Sequence, residues 1–474
     1  MPVQPVLLWS DALLFVLIAV IVALMLWARR QDALRAAWAR VARDGVAMAA
    51  ATVLAVFILI GLLDSLHYRA LLPAQPGAPA RYAVEVNSAL DALLADLRLR
   101  TEKTYSAPLA THLFSREALE NSTQREFPRL KHGGAHLGEN LSGHGLDIVV
   151  RLSRGLAGGL AIWLLLVAVV RLGKSRLPPN LPLEGGGAMM VATGGRAMNV
   201  GAGGTASRAV LLTLLVIFLL FGAAVSLGGG YHVFGTDKVG QDVLYLSLKS
   251  IRTGLLIGTL TTLVMLPVAV LLGILAGYVG GWVDDLIQYL YTTLSSIPGV
   301  LLIAAAVLMM QVVIDTHPDW FATSAERADA RLLALCLILG MTSWTGVARL
   351  LRGETLKLRE LEFVQAAQAF GVGRFAIMRR HILPNLMHIV LISLVMDFSG
   401  LVLAEAVLSY VGVGVDPTTI SFGTMINTAR MELAREPMVW WSLLAAFSFM
   451  FALVLAANLF ADAVRDAFDP RSSA

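Results

Sequence analysis

Cysteine is nearly absent. The one cysteine in 474 residues, Cys336, lies inside an apolar run, which excludes an intramolecular disulfide framework and any cysteine-cluster metal site. Charge is also scarce: 15% of residues are charged against 57% hydrophobic, and mean hydropathy is +0.72. A soluble domain of this size cannot hide so much apolar surface, so lipid is part of the solvent. Nucleotide and protease signatures are missing as well. No GxxxxGK followed by Ser or Thr occurs, and the nearest approach, Gly173-Lys174-Ser175, has Ala168 where the first Gly would stand. HExxH is absent, and "GVGVD", Gly412 to Asp416, misses the GxGD pattern of intramembrane aspartyl proteases by one residue. Any ATP this protein uses is hydrolysed by another chain, and neither a cofactor nor a nucleic acid is called for.

What is present is a series of apolar runs. Nine are long enough to cross a hydrocarbon core of roughly 30 Å. They lie near 12–28, 46–63, 156–170, 209–227, 253–278, 286–310, 332–348, 387–405 and 439–462. The first has no basic residue before it and Arg29-Arg30 after it, the reverse of a secretory signal, so it reads as a retained helix with its N-terminus outside. With that orientation 19 Lys or Arg fall in the inside segments and 7 in the short outside ones. This asymmetry is the positive-inside pattern; it puts residues 349–386 and the C-terminus in the cytoplasm, and the N-terminus in the periplasm.

The run Leu183 to Arg208 is dense in Gly without periodicity and reads as a flexible cytoplasmic linker. It divides an N-terminal extension, 1–182, from residues 209–474. The extension has three spans and a long outside segment, about 64–155. There Val86, Leu90, Leu93, Leu94 and Leu97 recur at helical spacing and predict an amphipathic helix. His132 and His136 stand four apart, as helical metal ligands would, but Gly133-Gly134 between them argues for a surface loop.

The informative stretch is "EFVQAAQAFGVGRFAIMRRHILPN", Glu362 to Asn385. Leu361 to Phe370 reads as a short helix ended by a left-handed turn at Gly371, Arg374 to His381 as a second, and Pro384 as its stop before the next span. Ala366 and Ala367 leave one side of the first helix nearly bare, a surface that another protein can approach closely. Two small residues, three positions, Gly, nine positions and then x-x-Leu-Pro is the pattern of a cytoplasmic loop in importer permeases of the ATP-binding-cassette superfamily. The sequence resembles the dipeptide/oligopeptide branch of that family. Gln365 departs from the family's leading Glu, and His381 stands where Ile is common. "FGTDKVGQDV" (Phe234 to Val243, with Gln241 where Arg is common), "AGYVGGWVDD" (Ala276 to Asp285), "SIPG" (Ser296 to Gly299), "LAEAVLSYVGVGVDP" (Leu403 to Pro417) and "NLFADAVRDAFDPR" (Asn458 to Arg471) extend the likeness in the family's order.

The resemblance implies an all-α polytopic membrane protein. Six of about nine transmembrane helices would form a type I importer core, 209–474, with its coupling loop at 349–386. It implies a permease subunit in the bacterial inner membrane, not an enzyme, that forms the pathway for dipeptides or oligopeptides. Gln365, Ala366, Ala367, Gly371, Leu383 and Pro384 would couple it to separate ATPase subunits. A second permease in a heterodimer and a periplasmic substrate-binding protein would complete the assembly. Nickel, glutathione and peptide-antibiotic importers share the pattern, so the substrate stays open among them.

Four further residues are pathway or gating candidates. Pro267 and Pro298 interrupt spans, as kinks in moving helices do, although static bends fit equally. Asp397 and Glu405 put charge in or at the end of a span, where it faces a cavity or a partner. They also permit the alternative, a proton-driven secondary transporter. Glu405, inside the family-like "EAVLSYVGVG", reads as structural.

Overall fold

A computed structural model describes residues 3–28, 32–72, 81–118, 125–138, 143–175, 202–321 and 323–468. In the N-terminal part, strand β1 (Val3–Val6) precedes helices α1 (Trp9–Ala28), α2 (Asp32–Val41) and α3 (Gly45–Asp64), then strands β2 (His67–Ala70) and β3 (Asn87–Ser88). Short helices α4 (Ala89–Leu93) and α5 (Ala95–Leu99), strands β4 (Glu117–Ala118) and β5 (Arg125–Glu126) and the long α6 (His144–Ser175) follow. Beyond it come α7 (Ala202–Gly228), α8 (Val243–Val279), α9 (Gly281–Ser296), α10 (Gly299–Thr316), α11 (Ser324–Ser343), α12 (Thr345–Arg359), α13 (Glu362–Ala369), α14 (Arg374–Ile377), α15 (Leu383–Val411), α16 (Phe422–Glu432) and α17 (Trp441–Phe468). Among the described residues eight helices are long and apolar enough to cross a membrane, and α1, apolar over Trp9–Ala23, adds a shorter one.

The bundle has two distinct ends. At the sheet end, β1 pairs antiparallel with β2 and β2 with β3, so the chain before α1 closes on the chain after α3. At the loop end, the last turns of α8, α12 and the first turns of α15 share a core that includes Val364, Ile377, Ile382 and Leu386. α8 is the central helix. Its small residues allow neighbours to approach: a Cβ on Gly273 would stand 2.8 Å from the Ala348 carbonyl oxygen, and one on Gly258 would stand 2.5 Å from the Phe398 ring. Small residues at helix crossings supply close packing where lipid gives no hydrophobic drive. The same device joins α6 to α7, where Gly155, Gly159 and Gly222 bring backbones together and a Cβ on Gly155 would lie 2.4 Å from the Gly222 carbonyl oxygen. Trp163 Nε1 donates to the Leu211 carbonyl at 2.7 Å across that crossing.

The elements depart from the sequence expectations at five points. The linker expected over 183–208 lies outside the described residues up to 201, and from Ala202 the chain is already the α7 helix. The expected span at 286–310 is split. Ile297 is extended (φ −91°, ψ 132°), as the residue before a proline prefers, and Pro298 starts α10. α9 keeps an apolar face with buried Ile287 and Tyr291. Pro267, by contrast, sits inside an unbroken α8. Pro384 does not stop a helix either: α14 runs through a π-helical turn, Met378–Ile382, into α15, and Pro384 occupies the first turn of α15. The wider turn accommodates the ring and missing N–H that an α-helix interior would not, and Asn385 Nδ2 donates to the His381 carbonyl at 2.6 Å. The stripe from Val86 to Leu97 makes two short helices rather than one. A capping box of Ser88 and Asp91 sets the start of α4, and Leu94 leaves helical geometry (φ −100°, ψ 21°) before α5.

Candidate functional site

The loop-end site is built on α12. This helix continues α11 past Trp344, packs on α8, and is fixed to α9 by a two-pronged pair in which Arg352 Nε and Nη2 donate to the Asp284 carboxylate at 2.6 and 2.7 Å. After Arg359 the chain turns, and α13 begins behind an extended Leu361. α13 has two faces. Val364 (0% exposed) and Ala367 (8%) point into the core shared with α8, α12 and α15. Phe363, Ala366, Ala369 and Phe370 point out, and Phe370 is 88% exposed.

The end of α13 is a Schellman motif. Val372 N–H bonds the Ala367 carbonyl at 3.1 Å and Gly371 N–H the Gln368 carbonyl at 2.9 Å, with Gly371 at φ +76°. This turn reverses the chain into α14, where Phe375 (73% exposed) adds a third exposed aromatic beside exposed Arg374, Arg379 and Arg380. Gln365 is exposed and its amide donates to the Glu360 carbonyl at 3.2 Å. A polar hollow between Tyr278, Arg359, Gln365, Gln368 and Arg374 opens beside it.

Of the sequence-derived set, then, Gln365, Ala366, Gly371 and exposed Pro384 reach the loop-end surface, with Leu383 half-buried beneath. Ala367 does not reach it: α13 turns by about 100° per residue, so adjacent alanines cannot share a face. The exposed aromatics Phe363, Phe370 and Phe375 were missed, and the signal was available. A large aromatic in a short, charged, aqueous loop has no core to fill.

The span residues are scattered. Asp397 is the midpoint of α15, and its Oδ2 is buried with no hydrogen-bond partner among the described residues. Glu405, 1% exposed, accepts from Ser409 Oγ at 2.7 Å and Ser421 Oγ at 2.9 Å, tying α15 to the start of α16. The histidines of the 64–155 segment do not form a metal set either. His136 bonds Asp147 at 2.7 Å, and no cluster among the described residues could hold a metal ion.

Residues 269–474, which include the whole loop-end site, match the profile of a family described as the binding-protein-dependent transport system inner membrane component. The oligopeptide transport system permease protein of Mycobacterium tuberculosis H37Rv is 31% identical over 252 residues, 53% of this chain and 80% of that protein. The chain belongs to this family. The dipeptide transport system permease protein of Lactococcus lactis subsp. cremoris is 30% identical over 51% of the chain and 64% of its own length. The glutathione transport system permease protein of Pectobacterium atrosepticum is 31% identical over 51% and 73%. The permease is thus an all-α, multi-pass inner-membrane subunit of an ATP-binding-cassette importer, a class that works with ATPase and substrate-binding partners.

Proposed function

We propose that this permease forms half of a translocation pathway for short peptides, and that α13 docks into a groove on a separate cytoplasmic ATPase subunit. The observation that carries the docking is Phe370: 88% exposed at the C-terminal cap of a helix that Val364 and Ala367 lock into the same core as α8 and α15. A push on α13 reaches those helices through the packing of Val364 and Ala367 in the shared core, and α14, the π turn and α15 follow one another without a break. Gln365, Ala366 and Gly371 contact the partner or shape the contact, while Ala367, Leu383 and Pro384 anchor it.

In this reading the loop end is cytoplasmic and the sheet end periplasmic, the core comprises 209–474, and a second permease supplies the other half as a heterodimer. Peptide as substrate is supported by relatives named for oligopeptide, dipeptide and glutathione transport. Asp397 is the residue best suited to meet a peptide's ammonium group, since a midplane carboxylate without a partner is stable only beside a cation or water. Pro267 and Pro298 bound the segments that flex, and Glu405 is a structural tie.

The test is co-purification and uptake in one set of strains. Phe370→Asp and Ala366→Glu are expected to lower ATPase recovery and labelled dipeptide or tripeptide uptake by at least about tenfold, the size of a lost hot spot, at unchanged membrane levels. Full ATPase recovery with both variants overturns the docking. Retained ATPase with no peptide uptake by the unmodified transporter overturns only the substrate.

A further inference from the structure

The sheet end holds a second set of charges that the loop-end site and the span carboxylates do not use. α8 carries Lys249 and Arg252 in its first turns, largely shielded from solvent. Cations placed so need counter-charges, and those come from the N-terminal part of the chain. Arg252 Nη2 donates to Asp11 Oδ1 at 2.6 Å, and its Nε to Ser65 Oγ at 3.2 Å. The other oxygen of Asp11, a fully buried residue, meets His67 Nδ1 at 2.7 Å. Lys249 Nζ lies 2.5 and 2.6 Å from the two oxygens of Asp91, which also accepts from Tyr245 at 2.7 Å.

The loop that leads into α8 is held in the same way. His232, 3% exposed, has Nδ1 2.7 Å from Asp242, whose other oxygen caps α8 by accepting from Leu244 and Tyr245 N–H. On its far side Nε2 stands 3.4 Å from Glu102, an ion-pair distance rather than a closed hydrogen bond. Glu102 in turn accepts the backbone N–H groups of Lys131, His132 and Gly133. Backbone bonds run alongside, from Glu102 N–H to the Gly240 carbonyl at 2.9 Å and from Thr236 N–H to the Ser106 carbonyl at 3.1 Å. Gly240 (φ +79°) lies so close that a Cβ there would fall 1.9 Å from the Glu102 carbonyl oxygen. At the loop end, by contrast, α8 packs on α12, the helix that leads into α13.

We infer that the N-terminal part is a fixed clamp on the first half of α8, with Asp11, Asp91 and Glu102 as positioning residues for Arg252, Lys249 and His232. The transport core is therefore incomplete without it. The contact stays closed through the transport cycle, and the displacement delivered by α13 is taken up elsewhere in the bundle. This rests on the permease assignment of the core and not on which peptide is carried.

The test uses the assembled transporter. Spin labels at Leu99→Cys and Val239→Cys, two exposed sites on either side of the contact, are expected to give one narrow distance that is the same without nucleotide and with trapped ATP. The native Cys336 is buried and stays unlabelled. A shift of that distance on ATP binding overturns the clamp. In the same labelled background Lys249→Met is expected to broaden the distribution and Lys249→Arg to leave it narrow; an unbroadened Met variant overturns the positioning role. A second measurement covers misfolding of any of these. Ser106→Cys with Thr236→Cys, whose native hydroxyls lie 3.1 Å apart, is expected to transport equally when oxidised and reduced. Uptake by the reduced form shows that the substrate assignment holds, so a block that appears only on oxidation reports a moving gate and overturns the clamp.

Discussion

Ala366 and Ala367 are adjacent and chemically identical, yet the first faces solvent and the second, 8% exposed, packs beside Val364. Spacing alone identifies the pair, whereas orientation belongs to the helix they sit on. His232 shows the same dependence on surroundings at the sheet end. Burial by itself would lower its pKa, but the hydrogen bond with Asp242 and the nearby charges of Asp242 and Glu102 outweigh that and raise it from 6.5 to about 9. Burial would raise Glu102, and the contacts from His232 and three backbone N–H groups outweigh it and hold the carboxyl at about 2 instead of 4.5. A histidine whose folded pKa exceeds its unfolded one stabilises fully below about 6.5 and loses that contribution as pH climbs through about 9. The glutamate contributes fully above about 4.5 and loses it as pH falls toward about 2. The joint is therefore tightest between about 4.5 and 6.5. The thermal midpoint of the purified permease is expected to fall from pH 6.5 to pH 9.5, and Glu102→Gln to flatten that slope. An equal slope in the variant would remove His232 and Glu102 as the cause.

At the scale of elements, proline has three different outcomes. Pro298 separates α9 from α10, Pro267 lies within α8, and Pro384 is absorbed by a π-helical turn. The residue is the same in each case; what differs is whether neighbouring helices and flexible side chains satisfy the freed backbone groups. Helix pairing follows small residues with more regularity. Gly155, Gly159 and Gly222 permit backbone contact between α6 and α7 that any side chain would prevent. Gly159→Leu is expected to separate those helices and to cost about 2 kcal/mol or more, the upper range for overpacking. The thermal midpoint of the purified permease in detergent checks this: it should fall in the variant, and an unchanged midpoint would remove the crossing as a source of stability. Gly158→Leu, where a Cβ meets nothing within 4 Å, is the control.

At the scale of the molecule, the charged residues divide between two ends with different work. The loop end exposes aromatics among arginines, and the sheet end uses its charges internally. The periplasmic placement of the sheet end has a direct check. A membrane-impermeant thiol reagent applied to intact cells with a permeable outer membrane should label Leu99→Cys at once and Phe370→Cys only after the inner membrane is opened. The reverse pattern would invert the topology.

The membrane class, the apolar segments and the loop pattern around Gly371 were legible in the residues, because each rests on local chemistry: hydrophobic length, charge bias and the residue type that adopts φ +76° without steric cost. The two faces of α13 were half legible, since small residues mark a close approach without saying from which side. Nothing local shows that Lys249 needs Asp91, 158 residues away in the chain, or that His232 needs Glu102. Polar groups in a membrane bundle are compensated wherever a partner lies in space, and that is decided by packing. So sequence alone determined what kind of protein this is and where its short loop helix lies, and only the tertiary structure decided that the N-terminal part is bound into the core by paired buried charges.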